Sequence, residues 1–356
     1  MEFKSLQLEN VIVLEDKKRK PLSTMDRSKR KGIYPYYGAQ EIIDSIDDYI
    51  FDGKYILLAE DGENLKSRKK DLVKIVEGKF WLNNHAHIFK VKENVDLEYL
   101  YYYLLKLDLN EYITGSTQPK LNQENMNKIK IKLPELRIQK NISKILSNID
   151  GKIKLNNEIN NNLYEEAVAL FDNIFPGIQK GNKTIGEYLV PKRGKNLLSR
   201  DAKDGNIPVI AGGLYPATYH NQPNTHFPVI TISASGANAG YTNLWEVPVW
   251  ASDCSYIDDT ITNNIYFWYI VLKTRQKEIF DAQTGSAQPH IYPQHIAEMP
   301  ICELKCDKVK EYNTLVEPLF KMIGHNTVEN DRLSKLRDTL LPKLMNGEID
   351  LDNIEI

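Results

Sequence analysis

The stretch "YITGSTQPKLN", residues 112–122, returns almost letter for letter as "AQTGSAQPHIY", residues 282–292. Thr114-Gly115-Ser116-Thr117-Gln118-Pro119 and Thr284-Gly285-Ser286-Ala287-Gln288-Pro289 differ at one position and lie 170 residues apart in a chain of 356. The same offset pairs Ile131 with Ile301, Ile149 with Leu319, Ile153 with Ile323, Leu163 with Leu333, Leu170 with Leu340 and Ile174 with Leu344. Chance does not hold apolar register without a gap over about sixty residues, so the chain reads as a tandem duplication, roughly 1–178 and 179–356.

Upstream the match continues with small shifts in offset, as loops of unequal length would cause. The run Tyr99 to Lys106 parallels Tyr266 to Lys273, Gly62 in "LLAEDGEN" parallels Gly236 in "TISASGAN", and Pro35 in "GIYPYYG" parallels Pro208 in "GNIPVIAGG". "YILLAED", "FWLNNHAHIFKV", "PVITISAS" and "VPVWASDCSYI" read as strands. The aromatic-rich 99–105 and 266–272 segments read as amphipathic helices just before the repeated turn.

The rear part of each copy is a long heptad-patterned helix. In the first, Ile142, Ile149, Asn156, Leu163 and Leu170 recur every seven residues, and Ile138, Ile145 and Ile159 fill a second position that Lys152 interrupts. In the second, Val309, Val316, Ile323 and Asn330 hold one position and Tyr312, Leu319, Asn326, Leu333 and Leu340 the other. Both seams are apolar at the ends and polar in the middle. One seam on one helix cannot bury itself, and antiparallel pairing would bring Asn156 to Asn326 or Asn330 and fix register. The alternative is that each helix packs only on its own domain. Pro318 predicts a bend or a division of the second helix, and Pro342 with Gly347 predicts its end. The expected fold is α/β (α+β): two mixed domains, 1–134 and 179–304, separated by two long helices, 135–178 and 305–356, packed as an antiparallel coiled coil. The segment 175–183, with two glycines and a proline, reads as the interdomain linker.

Composition narrows the function. The chain is 42% hydrophobic and 26% charged with a net charge of −2, so any anion-binding surface must come from local clusters. No apolar run is long enough to span a bilayer, no signal peptide is evident, and Cys254, Cys302 and Cys306 suit a reducing cytoplasm. No phosphate loop, dinucleotide fingerprint, methyltransferase signature or serine elbow is present. His85 and His87 lack a third ligand in register, so no metal is expected, and no cofactor or catalytic residue either. Asp61 and Glu63 flank Gly62 as a carboxylate pair, but the second copy has Ser235 and Ala237 there.

Polar, small and basic residues remain. Lys18, Arg19, Arg30, Lys66 and Arg68 in the first copy, and Arg193 and Lys195 in the second, fall in basic clusters suited to phosphate contacts; the alternative is a solvated charged face. Asn83, Asn84, His85, Ser252 and Asp253 stand at strand ends where they could read base edges, or simply make turns. Tyr36 and Tyr37 offer rings for base stacking, or for the core. The repeated turn adds Ser116, Gln118, Lys120, Ser286, Gln288 and His290, and the small-residue loop Ser235 and Asn238. Two equivalent units on a paired-helix spacer make a ruler, and a duplex with two half-sites is a natural partner.

These features together resemble one family. "YPYYGAQ", "YILLAEDGEN" with "NNHAHI", the aromatic helix, "TGSTQPKLNQENMNKIKIKLPEL" and the ending "LRDTLLPKLMNGEID" look like the DNA-specificity subunit of a type I restriction–modification system. The resemblance covers essentially the whole chain. It implies two target-recognition domains, each reading half of a split asymmetric double-stranded DNA site. It also implies two helices that set the spacer and dock two methyltransferase subunits, with two translocase–nuclease subunits completing the complex. Against it stand a stand-alone methyltransferase or nuclease with duplicated domains, and a scaffold that binds only proteins.

Overall fold

Ile12–Leu14, Ala86–Val91, Phe51–Ala59, Val73–Leu82, Lys31–Tyr37 and Ile42–Ile46 hydrogen-bond in that order into a six-stranded sheet. All neighbours are antiparallel except Lys31–Tyr37 with Val73–Leu82, which run parallel with Tyr36 opposite Trp81. The computed structural model describes residues 2–39, 41–115, 117–285, 288–349 and 351. Two compact units result: one from residues up to Lys152 together with those from Leu333 on, the other from Ile153–Arg332.

The second unit repeats the sheet with one break. Lys192–Arg193, Cys254–Ile257, Val229–Ser233 and Thr242–Trp245 form four strands in that order, and Thr218–His220, Ile207–Ile210 and Trp250–Ala251 form three. Thr242–Trp245 and Trp250–Ala251 together occupy the place of the single strand Val73–Leu82. Pro248 lies between them and cannot donate to a ladder, which accounts for the split. The parallel pairing persists, with Val209 opposite Trp250. Even the tryptophan anchors match: Trp81 donates to the Lys20 carbonyl at 2.6 Å and Trp250 to the Lys195 carbonyl at 2.8 Å.

Each aromatic helix closes its unit's core. Leu97–Lys106 buries Tyr99, Leu100, Tyr102 and Leu104, and Ile265–Thr274 buries eight consecutive residues from Ile265 to Leu272. "FWLNNHAHIFKV" is two strands joined by a turn at Asn83–His85, and "VPVWASDCSYI" is likewise two. The expected linker is not an open tether: Ile178 is buried in the second unit's core and its carbonyl accepts from the Cys302 amide at 2.8 Å.

The long helices are Leu136–Ile174 and Cys306–Met345. The second runs unbroken through Pro318, whose exposed position leaves the carbonyl it deprives of an amide to water. It ends two residues before Gly347. Within the first unit Ile138, Ile142 and Leu146 share a core with Leu341, Leu344 and Met345. Within the second, Ala167 and Phe171 share one with Val309, Tyr312, Val316 and Phe320. In each unit the two helices therefore run antiparallel. Between the apolar ends lies a ladder of amides: Asn156 donates to Glu329 at 2.7 Å and Asn330 at 2.9 Å, Asn326 to Asn160 at 2.8 Å, and Asn330 to Asn157 at 2.9 Å.

The seam position occupied by Ile142, Ile149 and Asn156 holds, but its companion is Leu146, Asn160 and Ala167 rather than Lys152 and Ile159. Ile159 is 44% exposed. Ile323 and Leu170 pack partly against the second core and Leu340 against the first, whereas Leu163 and Leu333 are half-buried outside both. No helix among the described residues is long and apolar enough to cross a membrane.

Candidate nucleic-acid interface

The repeated turn is pinned by the same four backbone hydrogen bonds in both units. In the first, Thr114 and Lys120 exchange two bonds of 2.8 Å, the Gly62 amide donates to Pro119 at 3.2 Å, and the Leu121 amide to Glu60 at 2.8 Å. In the second, Thr284 and His290 exchange bonds of 3.0 and 2.8 Å, Gly236 donates to Pro289 at 3.1 Å, and Ile291 to Ala234 at 3.0 Å. Gly115 and Gly285 have φ of +84° and +95°, and a Cβ on either would lie 2.2 or 2.5 Å from the carbonyl oxygen of Gln118 or Gln288. Only glycine fits, which explains why the motif is written twice.

Three segments meet at each turn: the end of a central strand, the start of its neighbour, and the turn itself. In the first unit they carry Asp61, His85 and Lys120. The Asp61 carboxylate lies 2.9 Å from His85 Nδ1, and Asp61 bridges to Lys120 through the backbone. Asn84, His85, Gln118 and Lys120 are exposed. In the second unit Ser235 donates to Asp253, Arg193 pairs with the same carboxylate at 2.9 Å, and Ser235 bridges to His290. The two tips therefore share a backbone but present different side chains: acid with imidazole in one, and hydroxyl, acid and guanidinium in the other. Sequence reading passed over Asp61 as a failed carboxylate pair. Its partner is His85 across the sheet, a pairing no spacing along the chain reveals.

Several expected contacts turn inward. Tyr36 and Tyr37 are buried core side chains, the first with its hydroxyl accepting from the Leu22 amide at 2.9 Å, so neither offers a ring face to a base. Asn83 is buried, and Ser252 is buried with its hydroxyl accepting from the Leu197 amide at 3.0 Å. Arg19 lies in an internal ion-pair network, Arg68 donates to the Leu107 carbonyl at 2.9 Å, and Arg30 pairs with Asp47 at 2.9 Å while stacking over Trp81. Lys18 is exposed but pairs with Glu15 at 2.8 Å, and Lys66 is exposed. Lys195 and Gln288 are exposed, and Asn238 and His290 half-buried. Ser116 and Ser286 lie outside the described residues.

Beneath the first turn Asp16, Glu60 and His87 bring their ligand-type atoms within 4.8 Å of one another. Arg19 fills this cluster, 3.2 Å from Asp16 and 2.7 Å from Glu60, so a guanidinium rather than an ion neutralises the acids. Burial pushes the Cys254 thiol up to about 12, which makes it inert.

In each unit a sheet-and-turn head packs with antiparallel segments of the two long helices, and that is the class of architecture the geometry defines. Residues 1–165 match the type I restriction modification DNA specificity domain. A putative type I restriction enzyme specificity subunit of Haemophilus influenzae is 34% identical over 139 residues, covering 39% of this chain and 35% of that protein. The MjaIX type I restriction enzyme specificity subunit of Methanocaldococcus jannaschii is 26% identical over 313 residues, 74% of this chain and 71% of that one. The S subunit of a type I restriction–modification system from M. genitalium has the same fold, with a TM-score of 0.65 at 19% identity over 97% of this chain and 96% of that one. Over residues 1–165 the chain is thus similar to the type I DNA specificity domain, and over most of its length to a type I restriction enzyme specificity subunit.

Proposed function

We propose that the chain reads a two-part asymmetric site on double-stranded DNA, one half through each unit, and performs no bond-making step itself. The observation that carries this reading is the identical pinning of two turns whose surrounding side chains differ. A shared frame with different functional groups is what two half-sites of different sequence require. In the first unit Asp61, Asn84, His85, Gln118 and Lys120 would meet DNA, and in the second Arg193, Lys195, Ser235, Asp253, Gln288 and His290. Carboxylates accept from exocyclic amines, guanidinium and imidazole donate to purine acceptors, and the lysines suit phosphates. Recognition domains 1–134 and 179–304 would be joined by helices that set the spacer.

The same helices would dock two methyltransferase subunits, with two translocase–nuclease subunits completing a cytoplasmic complex. Leu155, Ile159, Leu315 and Met322 support this, because they are large apolar side chains between 44% and 56% exposed on otherwise polar helix surfaces. Methylation mapping of genomic DNA with and without the gene tests the proposal. A two-part motif that vanishes with the gene is expected. Methyl transfer by the purified chain alone, given S-adenosylmethionine and DNA, would contradict it.

A further inference from the structure

His87 is the most buried titratable side chain beneath the first turn, at 1% exposure, and both of its ring nitrogens face acceptors. Nε2 lies 2.7 Å from the carbonyl oxygen of Leu121, which can only accept. Nδ1 lies 2.6 Å from Asp16 Oδ2. Asp16 is itself surrounded by donors: its Oδ1 accepts from the Ile88 amide at 2.8 Å, and Arg19 stands 3.2 Å from its Oδ2. Both oxygens of Asp16 thus face donors, so it stands toward the ring as an acceptor. Neither neutral tautomer satisfies this geometry, because each aims a ring lone pair at an oxygen. With Nδ1 protonated the lone pair faces Leu121, and with Nε2 protonated it faces Asp16.

We propose that His87 is a positioning residue for DNA reading by the first unit: its ring carries both protons and ties Leu121, the residue that closes the repeated turn, to the sheet. This rests on the reading that the turn meets DNA. The other charged groups facing the ring are Glu60, 3.8 Å from Nδ1, and Lys120, whose ammonium is 3.3 Å from Glu60. Asp61 and His85 form the next pair outward. On deprotonation the proton facing Asp16 is the one retained, since a carboxylate is a stronger acceptor than a backbone carbonyl. Leu121 then loses the tie to its carbonyl while its amide keeps the bond to Glu60, and the turn bearing Gln118 and Lys120 is loosened.

The second unit is a built-in control. Leu58 opposite His87 corresponds to Ile232 opposite Ser255, each four residues before the equivalent glycine, and Ala234 stands in the place of Glu60. The Ser255 hydroxyl is buried without a hydrogen-bond partner, so among the described residues no titratable side chain at this position ties the second turn.

Two measurements test this on the full chain. In long-range nitrogen–proton correlation spectra of the histidine-labelled protein, the His87 signals, identified by their loss in His87→Asn, should show two protonated nitrogens at about pH 6, just below the ordinary imidazole value of about 6.5. A neutral ring there overturns the inference whatever DNA does. With the methyltransferase subunits added, selectivity against single mismatches is then measured in each half-site, below and above the transition those signals report. If the ring stays protonated throughout, His87→Asn and His87→Gln supply the uncharged state. Selectivity in the first half-site should fall about tenfold, the scale of one mismatched base pair, and that in the second should hold. A loss shared equally by both half-sites, or absent from both, overturns the positioning role. A chain that confers no two-part methylation at any pH counts instead against the DNA-reading proposal, and the spectra alone then decide the state of His87.

Discussion

Gly115 and Gly285 hold the repeated turns in a backbone conformation that a side chain would oppose twice, through its φ and through a carbonyl oxygen within 2.5 Å. Gly115→Ala and Gly285→Ala should each cost about 1–3 kcal/mol, seen as a lower unfolding midpoint, and each should blur only its own half-site. Gly324 is a different case. An alanine in a helix interior normally gains about 1 kcal/mol over glycine. Here its Cβ would stand 2.3 Å from both Cβ and Cγ of Glu246, atoms too near the backbone to swing aside. Overpacking of this kind costs about 1–3 kcal/mol, so Gly324→Ala should destabilise, and a raised melting temperature would contradict the packing. At this scale the sequence was legible where the backbone makes the demand. The shared Thr-Gly-Ser-x-Gln-Pro exposed both turns because no other residue fits the glycine position. The side chains proposed to read DNA were not legible, because Asp61–His85 and Ser235–Asp253 solve one geometry with unrelated letters. Nor could Tyr36 and Tyr37 be told from stacking residues, since an aromatic beside a turn suits core and ligand equally.

The paired helices make a second kind of demand. Apolar ends around an asparagine middle were readable from heptads, and the ladder Asn156–Asn330 and Asn160–Asn326 is where antiparallel pairing would put it. The flank of the seam was not readable, because Ile159 and Asn160 are neighbours and only packing decides which turns inward. Replacing Asn156 alone by leucine removes the donor that serves both Glu329 and Asn330 at the centre of the ladder. It should cost about 1–3 kcal/mol in denaturant unfolding. Replacing Asn156, Asn160, Asn326 and Asn330 together by leucine should recover that stability while loosening register. A neutral single substitution would show that the ladder is not the register device. Charge on the helices also needs its partners counted. Arg337 pairs with Asp150 at 2.7 Å, and Asp150 accepts from the buried Tyr102 hydroxyl at 2.7 Å. Arg337→Glu should therefore lower the folding stability of the first unit, and not merely the affinity for a partner.

Over the whole molecule, the length of the first helix sets the reach of the ruler, and the helix ends at Ile174. Phe171 and Ile174 belong to the second core, so an insertion there would disrupt packing. The passage from one unit to the other falls at Lys152 and Ile153 in one helix and at Arg332 and Leu333 in the other. A matched heptad inserted at both points keeps Asn156 with Asn330 and Asp150 with Arg337. It adds about 10 Å of helix, since each residue rises about 1.5 Å. At about 3.4 Å per base pair, the methylated motif should gain about three positions of spacer with both half-sites unchanged. A half-site that changed while the spacer stayed fixed would count against the ruler.

The claim that two units read two half-sites independently is tested most directly by exchanging residues 179–304 for the equivalent segment of a similar specificity subunit and mapping methylation genome-wide. One half of the motif should change, and the other half should stay as it was. A motif altered in both halves, or one with no gap, would contradict the account.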